Sequence, residues 1–240
     1  MKLPHPFEQL SPDFILDAIE ACGLIPDGRL LALNSYENRV YQIGIEEAQP
    51  IVAKFYRPQR WSNDQIAEEH AFSRALADAE IPVVAPLELA DGRTLADFKG
   101  FRFSLFPRMG GRTPDIDDLD NLLILGRLLG RMHAVGAVSP FHYRPKIDVE
   151  SFGKKAAHEI LNNWIPRELY EAYETLVRDV LRLVETIFAQ AGEVNYIRVH
   201  GDCHSGNILW REDSPHFVDL DDARNAPAVQ DIWMLLSGDR

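Results

Sequence analysis

Apolar and polar residues change their period near residue 107, and that change divides the chain into two regimes. Between residues 29 and 56 three short runs, RLLALN (29–34), RVYQIGI (39–45) and PIVAKFY (50–56), alternate with a period near two, separated by polar, turn-forming SYEN and EEAQ. Successive strand side chains point to opposite faces, so this spacing predicts a small antiparallel sheet. A helix precedes the sheet, with Ser11 as its cap, Pro12 in its first turn and Gly23 closing it. Another follows at Ser62, where Ser62 and Gln65 have the spacing of a capping box, and runs to about Ala79. Residues 83–106 alternate again, with Asp91-Gly92 and Lys99-Gly100 as hairpin signals.

After PRMGG (107–111) the period lengthens. NLLILGRLLGRMHAVG (121–136) carries its apolar residues at helical spacing, and residues 151–191 predict one long helix or two broken near Pro166. NILW (207–210) and FVDLDD (217–222) read as the two arms of a short hairpin. The expected fold class is therefore α+β. Residues 1–106 form a small antiparallel-sheet lobe with one inserted helix, 107–111 form the hinge, and 112–240 form a mainly helical lobe.

Composition narrows the function without naming it. The 37 acidic against 25 basic residues give a formal charge of -12, which repels a nucleic-acid backbone in the absence of a basic stripe, and FYRPQRW (55–61) is too short to be one. No apolar run approaches the roughly 20 residues that span a bilayer, and the first residues lack the basic-then-apolar order of a secretion signal. The two cysteines, Cys22 and Cys203, are too few for a disulfide framework. The expectation is a cytoplasmic protein with no nucleic-acid or membrane partner.

Candidate chemistry is concentrated in HGDCHSGNILW (200–210). His200, Cys203 and His204 are possible zinc ligands, but no fourth ligand stands at a familiar interval. The segment 219–230 lacks the glycine and glutamate of an EF-hand loop, and Ser205 lacks a nucleophile elbow. Read instead as H-G-D-x-x-x-x-N, followed by an apolar strand and V-D, the order is that of phosphoryl transfer. There one aspartate orients the acceptor hydroxyl and takes its proton, while an asparagine and a second aspartate hold metal ions on the nucleotide phosphates. Asp202, Asn207 and Asp219 fill these places. The hypothesis demands a strand lysine for the phosphates and a helix carboxylate for the lysine. Lys54, inside IVAKFY, meets the first demand. Glu69 meets the second, because it shares a helix face with Ile66, Phe72 and Leu76 whereas Glu68 does not. The turn NSYENRVY (34–41), with Ser35 and Tyr36, lies where a phosphate-covering loop belongs, although it contains no glycine.

Together VAKFYRP, EEHAFSRALADAEIPV, GRLLGRMHAVG, VHGDCHSGNILW and FVDLDDARNAPAVQDIWMLL resemble the aminoglycoside phosphotransferase and choline kinase superfamily of protein-kinase-like enzymes, over almost the whole chain. The resemblance implies a bilobal fold, ATP with magnesium (Mg2+) as cofactor, and, through its bacterial stress-response branch, phosphorylation of serine or threonine on proteins, including the enzyme itself. Carried over by position, it makes Asp202 the catalytic base, Asn207 and Asp219 the magnesium ligands, and Lys54 and Glu69 the phosphate lysine and its partner. Phe106, Arg108 and Met109 become part of an adenine-facing hinge, and His200 and Asp231 supports of the catalytic loop. It leaves the roles of Asp221 and Asp222 open, and oxidation of Cys203 is a possible modulator. Family members continue with further helices that line the acceptor site, so the helical lobe is expected to be incomplete at its C-terminal end. The leading expectation is a monomeric serine/threonine protein kinase using ATP. A small-molecule kinase for an aminoglycoside, choline or homoserine, and a nucleotide-binding pseudokinase, are the alternatives.

Overall fold

The computed structural model describes residues 6–236. These residues form two compact units: one runs to Asp115 and takes in Ser205–Asp221, and the other comprises Ile116–His204 and the residues from Asp222 onward.

The first unit is built on a five-stranded antiparallel sheet, in the order β1 (Pro26–Leu33), β2 (Arg39–Ile45), β3 (Ile51–Phe55), β5 (Phe101–Pro107), β4 (Ala96–Phe98). Helix α1 (Pro12–Glu20) is capped by the Ser11 hydroxyl, which accepts from the Phe14 amide, with proline in the first turn as the sequence predicts. Its Ile15, Ala18 and Ile19 join Ile43, Ile51, Ala53, Phe55, Phe103 and Leu105 in a continuous apolar core. Because side chains alternate, Ile51, Ala53 and Phe55 enter that core while Val52 and Lys54 face the other way. Helix α2 (Asn63–Asp78) opens with the complete capping box, in which the Ser62 hydroxyl accepts from the Gln65 amide and the Gln65 side chain accepts from the Ser62 amide.

The stretch 83–106 forms strand only in β4 and β5. Residues 84–95 hold no strand, because Pro86 cannot donate to a ladder and Leu89 to Arg93 close a tight turn of their own. The hairpin β7 (Ile208–Arg211) and β8 (Ser214–Phe217) also belongs to the first unit: Val84 donates to the Phe217 carbonyl, Phe217 to that of Pro82, and Arg112 bridges Trp210. Of FVDLDD only Phe217 is in the strand; Leu220–Asp222 make a single 3-10 turn.

The second unit contains α3 (Leu119–Gly136), a π-turn at Val149–Lys155, α4 (Ala156–Asn163), α5 (Tyr170–Ala191) and the short α6 (Val229–Trp233). The break near Pro166 separates α4 from α5 as predicted. A two-stranded ladder, β6 (Ile197–Val199) with β9 (Arg224–Ala226), is absent from the sequence reading because three-residue strands carry too little periodicity to detect. No described helix is long and apolar enough to cross a membrane.

Candidate active site

In the first unit a cavity of about 310 Å³ opens beside the sheet. Leu33, Val40, Val52, Val84, Phe106, Leu209 and Val218 give it apolar walls, and Lys54, Glu69, Asn207 and Asp219 supply its polar groups. Strand register explains the lysine. Lys54 pairs with Val40 on β2 and Ser104 on β5, and a one-residue slip would turn it into the α1 core.

Lys54 is 6% exposed, and its Nζ lies 2.7 Å from Asp219 Oδ1 and 3.2 Å from Asp221 Oδ1. Burial by itself pushes the ammonium pKa down, but the carboxylates of Asp219, Asp221 and Glu69 outweigh it and hold the value well above the usual lysine range. Glu69 is 2% exposed on the inner face of α2 with Ile66, Phe72 and Leu76, the face its spacing predicts. Its field reaches Lys54, whereas the shortest ion pairs of the lysine go to the two aspartates. Behind it lies a polar group that the sequence reading missed. Tyr56 Oη and His70 Nε2 are 2.8 Å apart, and His70 Nδ1 meets Thr94 Oγ1 at 2.7 Å.

Asp219 follows β8 with a backbone φ of 60°, a left-handed conformation uncommon outside glycine and a frequent mark of functional sites. Its side chain is about half exposed and lines the cavity together with Asn207, from the 3-10 turn Ser205–Asn207. One carboxylate and one amide oxygen are the hard donors that magnesium takes from a protein when phosphates and water complete its shell, so this pair fits the implied ion. Among the described residues no cluster of three or more His, Cys, Asp and Glu side chains is arranged for a metal.

Phe106 and Met109 line the cavity, while Arg108 Nε donates to Gln42 Oε1 at 3.3 Å and does not line it. At the β1–β2 turn the lining residues are Leu33 and Asn34. Tyr36 is 94% exposed, and the Ser35 hydroxyl donates to the Asn38 carbonyl.

The loop bearing Asp202 belongs to the second unit, and Asp231 organises it. This aspartate is fully buried on α6. Its Oδ1 accepts from the Gly201 amide at 2.8 Å, and its Oδ2 from the His200 amide at 3.0 Å, with His133 Nε2 of α3 also 3.0 Å away. Gly201 has φ 86° and a Cβ there would collide with the Asp222 carbonyl, so glycine is required. His200 is fully buried, and the Asp202 amide donates to its Nδ1 at 3.4 Å. The Asp202 carboxylate stays partly exposed, 3.6 Å from His204 Nε2. Cys203 is buried, and desolvation followed by the charges of Asp231 and Asp202 raises its thiol pKa, so it is not an activated thiolate.

A sequence model described as Phosphotransferase enzyme family matches residues 29–240. Two similar relatives are the Serine/threonine protein kinase RdoA of Salmonella typhimurium (strain LT2), 45% identical over 239 residues, and Stress response kinase A of Escherichia coli (strain K12), 45% identical over 237 residues; each alignment covers 98% of this chain and 70% of the relative. Solved structures with the same fold include a microcompartment-associated aminopropanol kinase (TM-score 0.72, 20% identity, 95% of this chain and 74% of that one). Another is amicoumacin kinase hAmiN bound to AMP-PNP, Ca2+ and its ligand Ami (TM-score 0.71, 22% identity, 92% and 67%).

Proposed function

Because this chain belongs to the phosphotransferase enzyme family, we propose that it is an ATP-dependent protein kinase of the stress-response type that phosphorylates serine or threonine, itself included. The observation that carries the reading is Lys54, a buried cation held by carboxylates at the edge of an apolar cavity that Asn207 and Asp219 also line. Apolar walls suit an adenine ring, with Phe106 to Met109 as the hinge, and the lysine suits the phosphates. Asn207 and Asp219 would hold magnesium, which neutralises phosphate charge when bound. Asp202 orients the acceptor hydroxyl. As the hydroxyl oxygen bonds to the γ-phosphorus and the bond to ADP breaks, the hydroxyl proton passes to the Asp202 carboxylate. Asp231, through the Gly201 and His200 amides, keeps that carboxylate in place. Catalysis on this reading is positioning and electrostatics. The 45% identity to relatives named as protein kinases supports a protein acceptor, and two free cysteines suit a reducing cytoplasm. We take the working unit to be a monomer.

Incubation with labelled ATP and magnesium, with and without a basic protein acceptor, tests the proposal. Label is expected on serine or threonine with the wild type, and a loss of about a hundredfold or more with Asp202→Asn at unchanged ATP binding. Transfer only to amino-alcohol or aminosugar acceptors would replace it with a small-molecule kinase, and binding without any transfer with a nucleotide-binding module.

A further inference from the structure

Asp221 has no part in the transfer step above, yet it is one of the most buried acids of the first unit, 3% exposed. Side chains from separate segments converge on it. Besides Lys54 on β3, the Asn38 amide donates to Asp221 Oδ2 at 3.2 Å from the β1–β2 turn. Trp61 Nε1 donates to the same oxygen at 3.4 Å, and Arg60 Nη1 lies 3.6 Å away, both from the segment that leads into α2. Asn38 is itself only 4% exposed and is engaged at both ends. Its Oδ1 accepts from the Arg57 amide at 3.0 Å, and its backbone carbonyl accepts from the Ser35 hydroxyl and from Arg39 Nη1. Glu37 adds a second tie, to Arg57 at 2.8 Å and Arg60 at 3.3 Å.

A phosphate-covering loop rich in glycine reaches its ligand through backbone freedom. The turn 34–38 has no glycine, so it must be held where its amides are useful. A buried amide–carboxylate bond is suited to this, because charge-assisted hydrogen bonds strengthen where water is excluded. We propose that Asn38 and Asp221 are positioning residues that clasp the turn 34–38 against the segment 57–61 and fix Lys54 beneath it, presetting the cavity for a nucleoside triphosphate. The inference rests on the nucleotide reading of the cavity. Its consequence is that the turn and Lys54 are energetically coupled, and that ordering the turn costs little when nucleotide binds.

The test uses the full chain and the variants Asn38→Ala, Asp221→Asn and their combination, with Trp61→Phe as a milder probe. Amide hydrogen exchange is read at 34–38 and 57–61, and the KM for ATP and kcat in the transfer assay. Either single variant is expected to speed exchange in both segments and to raise KM roughly tenfold with a smaller change in kcat, the double variant being little worse than a single. A merely structural role would lower the active fraction, and so apparent kcat, at constant KM. Exchange that changes only in the segment carrying the substitution, or effects on KM that multiply, would overturn the clasp. If Asp221→Asn fails to fold, Asn38→Ala and Trp61→Phe decide by the same criteria. A wild type that transfers no phosphate would defeat the functional reading alone, since the exchange data still decide the clasp.

Discussion

Lys54 shows how a single charge survives burial. Removing an ammonium from water is costly, and Asp219 and Asp221 at 2.7 and 3.2 Å offset that cost. Replacing the lysine with methionine leaves those acids facing one another, so Lys54→Met is expected to cost about 3 kcal/mol in urea denaturation. The sign of its pH dependence follows from the raised pKa: the stabilisation is fully present below the ordinary value of 10.5 and fades only as pH rises through the higher folded value. The gap between wild type and variant should therefore stay constant from about pH 7 to about pH 9. A gap that shrinks over that window would mean that Lys54 titrates there and that the carboxylates do not hold it. The residues were legible to different degrees. Glu69 could be chosen over Glu68 because helical spacing alone assigns the face. Asn38, His133 and the clustering at Asp221 could not, since a buried polar side chain looks in sequence like any polar residue on a turn or helix.

At the scale of elements, α3 carries three glycines whose surroundings differ. A Cβ at Gly126 or Gly130 would meet nothing, whereas one at Gly136 would strike the Arg198 carbonyl on β6. Gly126→Ala and Gly130→Ala should each stabilise the protein by about 1 kcal/mol through helix propensity. Gly136→Ala should destabilise it by about 1–3 kcal/mol, because helix and strand must separate. Chemical denaturation of the three variants checks this, and a stabilising Gly136→Ala would show that the close approach of α3 and β6 does not bear on stability. The same contrast explains what local pattern gives away. Caps at Ser11 and Ser62 are encoded within three or four residues and appear as predicted. The strand expected across 84–95 does not form, since alternation is only permissive and Pro86 removes a donor. The ladder β6–β9 joins segments 25 residues apart in sequence by pairing alone.

For the whole molecule, the decisive feature is that the first unit is discontinuous in sequence. Phe217 is fully buried and exchanges backbone hydrogen bonds with Pro82 and Val84, and Trp210 with Arg112. A fragment ending at Asp115 would expose these apolar and polar partners together. It is expected to give a poorly dispersed amide spectrum, and a flexible linker joining it to residues 205–221 should restore dispersion. A fragment that folds equally well alone would show the β7–β8 hairpin to be dispensable.

The sequence by itself determined the α+β class, the helix caps, the strand that carries Lys54, the helix face that carries Glu69 and the order of Asp202, Asn207 and Asp219, because each is written in spacing over a few residues or in the order of motifs. The tertiary structure alone decided that β7 and β8 belong with the first unit, that Asp231 and Gly201 shape the loop before Asp202, and that Asp221 gathers Asn38, Arg60, Trp61 and Lys54. These are matters of burial and long-range hydrogen bonding. Their energy comes from groups up to 183 residues apart, and no local period records such a distance.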